Sequence, residues 1–229
     1  MSGHALARSP AASTLTSSGV PITIERFGPE DNEIRPGVLL LHGSDGATER
    51  YRAAARQVAA AGYAVFLVRY LDRTSETRAA LGAIGRHLPL WTETVRDALT
   101  YASRQTGVDP ARLGLLGISL GGGLALTTAQ KDERVRALVV DFGFVPTSFN
   151  PAGRLPPTLV LHGAKDQVVP VSNAQALRTV LERRGIPHEV QIYPGQGHGF
   201  TGEAQADAAR RIRAFLDRYL RQTTSGSTQ

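Results

Sequence analysis

The chain has 229 residues, 41% hydrophobic and 20% charged, with a formal net charge of +6 and no cysteine. That length is enough for one sizeable core without covalent staples, and the lack of cysteine excludes disulfides, thiolate catalysis and thiolate-held metals. The excess charge is arginine, Lys131 and Lys165 being the only lysines; the arginines are interspersed with Glu and Asp and form no basic run, which argues against a nucleic-acid partner.

Residues 1–18, MSGHALARSPAASTLTSS, are small and polar and lack the continuous apolar core of a secretory signal. No run in the chain approaches the ~20 apolar residues of a membrane span. The expectation is a disordered tail over 1–18, a single domain over 19–222 and a second disordered tail over 223–229. The protein is expected to be soluble and cytoplasmic, with no membrane partner. VPITIERF (20–27) alternates apolar and polar residues and suits an edge strand. The run at 38–41 reads as a buried strand, and 49–61, ending at Gly62, as a helix. YAVFLV (63–68) is a second buried strand, and WTETVRDALTYASRQ (91–105) a helix. RLGLLGI (112–118) is a strand leading through Ser119 into the helix-like LGGGLALTTAQ. VRALVVDF (135–142) and PTLVLHG (157–163) are further strands. A helix over 173–184, the strand HEVQIY (188–193) and an amphipathic helix over 204–220 complete the chain. Strands that alternate with helices predict an α/β fold with a parallel sheet covered on both faces. The near-continuous apolar character of those strands agrees with this.

In such a sheet, ligands bind beyond the carboxyl ends of the strands. Three strand ends carry chemistry: Ser119 in GISLG, Asp166 in LHGAKDQVVP and His198 in YPGQGHGF. The order Ser, Asp, His and the G-x-S-x-G pattern between a strand and a helix are those of the α/β-hydrolase nucleophile elbow. Small residues are needed at 117 and 121 because the serine sits on a strained turn pressed between strand and helix. Asp166 is placed to orient the imidazole and stabilise its cation, and His198, in a loop with Gly195, Gly197 and Gly199, to act as base and then acid. His42 and His162, each before a glycine at a strand end, are expected to pack beneath the site, and His4, His87 and His188 to lie on the surface. No ligand cluster or dinucleotide fingerprint implies a metal or cofactor.

Together LLLHGSDG, GISLGGGLAL, LHGAKDQVVP and YPGQGHGF make the chain resemble the dienelactone hydrolase family of α/β-hydrolases, from Val38 to the last helix. The resemblance implies Ser119 as nucleophile, Asp166 as acid, His198 as base, and the backbone N–H groups of Ser44 and Leu120 as the oxyanion hole. It also marks departures. Family members that act on dienelactones carry cysteine where this chain has Ser119 and glutamate where it has Gly43. They hold the substrate carboxylate with two arginines, of which Arg73 matches one and Gly202 replaces the other.

Residues 71–90 stand where this fold inserts substrate-facing loops, so Tyr70, Arg73 and Trp91 are candidate pocket residues, along with Leu88 and Leu90. The expected activity is metal-free serine hydrolysis of small carboxylic esters or lactones. A thioesterase, a peptidase or a cofactor-free perhydrolase would use the same residues. A non-catalytic small-molecule binding protein would need the pocket without the three catalytic side chains. Acyl preference and oligomeric state are not legible.

Overall fold

A computed structural model describes residues 11–29 and 31–221. Its strands are β1 (Ala11–Ser17), β2 (Val20–Phe27), β3 (Arg35–Leu41), β4 (Ala64–Val68), β5 (Val108–Ile118), β6 (Val135–Asp141), β7 (Thr158–Gly163) and β8 (His188–Tyr193). The helices are α1 (Glu49–Ala60), α2 (Ile84–Ser103), α3 (Leu120–Lys131), α4 (Ser172–Arg183) and α5 (Gly202–Leu216). The strands form one sheet in the order β1-β2-β4-β3-β5-β6-β7-β8. β1, β2 and β4 pair antiparallel, and every pair from β4 across to β8 is parallel.

The apolar runs are continuous because both faces of the sheet are covered. Every residue of β3 is buried. Leu39 and Leu41 pack with Trp91 of α2, Leu124 of α3 and Leu177 of α4. Val38 and Leu40 point the other way, to Tyr51 and Ala55 of α1 and Phe215 of α5. The period-two alternation of a strand thus divides one core into two layers. Among the described residues, no helix is long and apolar enough to cross a membrane.

Three elements differ from the sequence expectation. Residues 11–17, assigned to a disordered tail, form β1, which pairs with β2 through a two-residue turn at Ser18 and Gly19, both at positive φ. That is the backbone a tight hairpin requires. The hairpin is anchored by Ser17, whose buried hydroxyl donates to Asp97 of α2 (2.7 Å). VPITIERF is therefore the second strand, and β1 the edge. The helix expected over 91–105 begins earlier, at Ile84, and accommodates Pro89. Residues 1–10 and 223–229, the rest of the expected tails, lie outside the described residues, as does His4.

The chain leaves β3, crosses to β4 on one side, and then returns to β5 on the other. The crevice beyond the ends of β3 and β5 is thus the topological switch point, where an open α/β sheet has room for a ligand. Gly43–Ser44 and Ser119 lie there.

Candidate active site

Ser119 joins β5 to α3 with φ 56° and ψ −116°, a strained conformation for a residue with a side chain. Two close approaches hold it there. A Cβ on Gly117 would stand 2.2 Å from the Gly121 carbonyl oxygen, and one on Gly121 would stand 2.1 Å from that of Leu41. Two hydrogen bonds lock the turn, Ser119 N–H to the Asp141 carbonyl and Gly122 N–H to the Ser119 carbonyl, each 2.9 Å. Because α3 starts at Leu120, its first N–H groups have no carbonyl one turn earlier, and its positive dipole end faces the serine.

The Ser119 hydroxyl lies 2.8 Å from His198 Nε2. His198 Nδ1 lies 2.8 Å from Asp166 Oδ2. A carboxylate only accepts, so Nδ1 carries the imidazole proton, and the Nε2 lone pair receives the serine O–H. Asp166 Oδ1 accepts from the N–H groups of Val168 (2.9 Å) and Val169 (2.8 Å). Burial works against its charge, but the hydrogen bond from His198 and the two amides outweigh it and hold the carboxyl below the usual aspartate range. The His198 loop crosses close over β7, since a Cβ on Gly163 would meet the Gly197 carbonyl oxygen at 2.2 Å. Phe142, also at positive φ, stands edge-on to His198, with ring centroids 5.0 Å apart.

The loop after β3 closes the site. A Cβ on Gly43 would be 3.4 Å from that of Ser119 and 2.5 Å from the Tyr51 hydroxyl. The chain therefore has glycine at the position where the resemblance would put glutamate, because Tyr51 fills that space. Tyr51 donates to Asp45 Oδ1 (2.6 Å), which also accepts from Arg50 (2.9 Å). The Ser44 carbonyl accepts from Ala79 N–H (2.8 Å), tying this loop to the segment before α2. Sequence reasoning missed Tyr51, which reads as one apolar position of an amphipathic helix.

His42 and His162 lie beneath the site, both at most 1% exposed. His42 stacks on Tyr70 at 4.3 Å, and burial pushes its pKa down to about 4. His162 Nε2 donates to the Val169 carbonyl (2.8 Å) and stands 3.4 Å from Asp166 Oδ2. It therefore braces the turn that carries Asp166. His87 faces Glu76 at 3.3 Å, and His188 the Ile186 carbonyl at 2.7 Å.

The candidate pocket residues are corrected by their packing. Tyr70 and Trp91 are 0% exposed and belong to the core. The Tyr70 hydroxyl donates to the His42 carbonyl (2.7 Å), and Trp91 Nε1 donates to Thr74 Oγ1 (3.1 Å). Arg73 pairs with Glu93 of α2 at 3.4 Å, and its buried Nε has no partner among the described residues. Its charge is thus engaged by the helix. Leu88 is buried and Leu90 is partly exposed. Residues 71–90 comprise the end of a 3-10 turn (Tyr70–Thr74), a short connection over 75–80, a second 3-10 turn (Leu81–Ala83) and the first turns of α2. Among the described residues, no three His, Cys, Asp or Glu side chains converge to hold a metal ion.

A mostly parallel sheet flanked by helices, with a serine on the strained turn after its central strand, defines the α/β-hydrolase fold. Residues 25–221 match the family model of the dienelactone hydrolase family, and the chain belongs to that family. A solved structure described as a putative dienelactone hydrolase from Klebsiella pneumoniae superposes with a TM-score of 0.81 at 19% identity, covering 92% of this chain and 98% of that one. Among curated relatives, the quorum-quenching protein AidA of Acinetobacter baumannii is 32% identical over 127 residues, 54% of this chain and 40% of that protein. A probable carboxylesterase, SOBER1-like, of Arabidopsis thaliana is 26% identical over 129 residues, 53% of this chain and 46% of that protein. The matched stretches span less than half the length of these relatives.

Proposed function

We propose that the chain is a serine hydrolase that cleaves small carboxylic esters or lactones through an acyl-enzyme. The observation that carries this reading is the hydrogen-bonded chain Ser119–His198–Asp166, with both links 2.8 Å, at the turn between β5 and α3. Ester chemistry is supported by the family and by the carboxylesterase named among the relatives.

His198 Nε2 takes the Ser119 proton as Oγ attacks the ester carbonyl carbon. The carbonyl π electrons move to oxygen, and the resulting oxyanion meets the N–H groups of Leu120 and Ser44 at the positive end of α3. The tetrahedral intermediate collapses as the C–O bond to the alcohol breaks, and His198 gives that alcohol its proton. Water then repeats the sequence on the acyl-serine, losing a proton to His198, and releases the acid. Asp166, ionised and held by two amides, keeps the imidazole in the required tautomer through both halves.

A charged dienelactone is disfavoured as substrate. Ser119 replaces the thiol, Gly43 the glutamate and Gly202 one arginine, while Arg73 is engaged by Glu93. Uncharged short-chain esters suit the site better. The test is p-nitrophenol release from acetyl and butyryl esters. The native chain should turn both over, and Ser119→Ala should be slower by about a thousandfold or more. Equal rates in the two proteins would sink the proposal, as would inactivity of the native chain across esters, lactones and thioesters.

A further inference from the structure

A cavity of about 590 Å³ lies between α1 and α5, on the face of the sheet opposite α3 and beneath the His198 loop. This volume falls in the range of small-molecule sites. It is lined by Leu116 and Ile118 of β5, Asp141 at the end of β6, and Phe142 and Phe200. Small side chains keep it open, Ala54 on α1 and Ala208 and Ala209 on α5.

Asp141 does not fit such a lining unless something meets it. It is 8% exposed, and its Oδ1 is buried with no hydrogen-bond partner among the described residues. An unpaired carboxyl in apolar surroundings is costly. The hydroxyl and guanidinium donors around the cavity are committed elsewhere, and the lining amides of Gln57 and Gln205 make no hydrogen bond to Asp141. The hydroxyl of Tyr51 goes to Asp45, that of Tyr63 to Asp217 and that of Tyr193 to Asp207. On the two helices, Arg50 pairs with Asp45, Arg210 with Asp207 and Arg213 with Asp217. No basic side chain is left to answer the carboxyl, and the arginines at the rim are already neutralised. The missing partner is a donor that enters the cavity on an apolar body.

We infer that the α1–α5 cavity is a second binding site, separate from the Ser119 groove, for a small hydrophobic primary amine whose ammonium group pairs with Asp141. The apolar part lies along Leu116, Ile118 and the alanines, and the ammonium reaches the end of β6. The site adjoins the catalytic framework, because the Asp141 carbonyl accepts the Ser119 N–H and Phe142 packs on His198. Burial pushes the empty Asp141 carboxyl up to about 8. An amine that binds as a cation to a carboxylate must therefore displace a proton below that pH. Its affinity should fall about fivefold from pH 8 to 7 and about tenfold more from 7 to 6.

The test is isothermal titration of the full chain with 4-phenylbutylamine, with 4-phenyl-1-butanol and 4-phenylbutanoate as neutral and anionic controls. The expected result is one saturable amine site at pH 8, weaker by about fivefold at pH 7, with at least tenfold preference over both controls. Asp141→Asn should weaken amine binding at least tenfold and remove its pH dependence. Ala209→Phe, which fills the cavity and leaves Asp141 in place, should abolish binding even if the asparagine variant does not fold. Ser119→Ala should bind like the native chain. The inference is overturned by no saturable binding at millimolar amine at pH 8. Binding that survives Ala209→Phe, is lost in Ser119→Ala, or is matched by the alcohol or the carboxylate overturns it equally.

Discussion

Replacing Asp141 by asparagine removes an ionisable group without changing its shape, and the consequence for stability depends on pH in a direction the structure sets. In the unfolded chain the carboxyl titrates near 3.9, whereas burial at the end of β6 pushes it up to about 8 in the folded protein. Between these values the folded state holds a proton that the unfolded state has released. Stability is therefore lost as pH rises, by about 1.4 kcal/mol per pH unit from this group alone. The loss across the whole window is about 6 kcal/mol and is complete above pH 8. His42 acts in the opposite sense. Burial holds its pKa at about 4, so the folded state refuses a proton that the unfolded state takes below about 6.5, and stability is lost as pH falls through that range. In the native chain the two contributions oppose one another between pH 4 and 6.5, and the Asp141 loss stands unopposed from 6.5 to 8. In Asp141→Asn the His42 contribution remains, joined in the same sense by that of His162, whose pKa burial also lowers. Urea unfolding of both proteins at pH 5, 6, 7 and 8, followed by fluorescence of the buried Trp91, measures this directly. The difference in unfolding free energy should move in favour of the variant at each step upward. A difference that does not change with pH would show that Asp141 is ionised or paired in the folded protein, and the reasoning would fail.

Asp166→Asn keeps the shape of the turn but no longer enforces the Nδ1–H tautomer, so ester turnover should fall by about a thousandfold or more with the fold intact by circular dichroism. Gly121→Ala puts a Cβ 2.1 Å from the Leu41 carbonyl oxygen, and a denaturant midpoint should report a loss of about 3 kcal/mol or more. Gly82→Ala, with nothing within 4 Å, is the control and should change little. Ser44→Ala leaves the backbone N–H in place, so kcat on p-nitrophenyl acetate should stay within about threefold of the native value. A hundredfold loss there would move the oxyanion contact from the backbone to the side chain.

Much of the parallel half of the fold was legible because its strands are short apolar runs separated by amphipathic helices, a pattern that only a sheet buried on both faces satisfies. The strand-end placement of Ser119, Asp166 and His198 was legible for a related reason. Each follows a strand and is flanked by glycines or turn residues that have no other purpose at those positions. β1 was not legible as a strand, since AASTLTS contains a single large apolar residue, Leu15, and most of its side chains face solvent. Its one local signal was the Ser18–Gly19 turn. What makes it a strand is the free edge of β2, which follows it directly, together with the Asp97 carboxylate on α2, 80 residues away in the chain.

Tertiary structure alone decided which aromatic and charged residues face the cleft. Tyr70, Trp91 and Arg73 stand in a segment whose position in the chain suggested a pocket. Burial against His42, a hydrogen bond to Thr74 and a pairing with Glu93 drew each of them away. Asp141 is the converse. In the sequence it is one acid closing the strand VRALVVD, and a strand end is ordinarily solvated. The packing of α1 and α5 over β5 and β6 removes that solvent without supplying a donor. Local chemistry is written in neighbouring residues, because backbone strain and strand period act over a few positions. Burial and pairing depend on elements brought together from distant parts of the chain, and only the folded molecule specifies them.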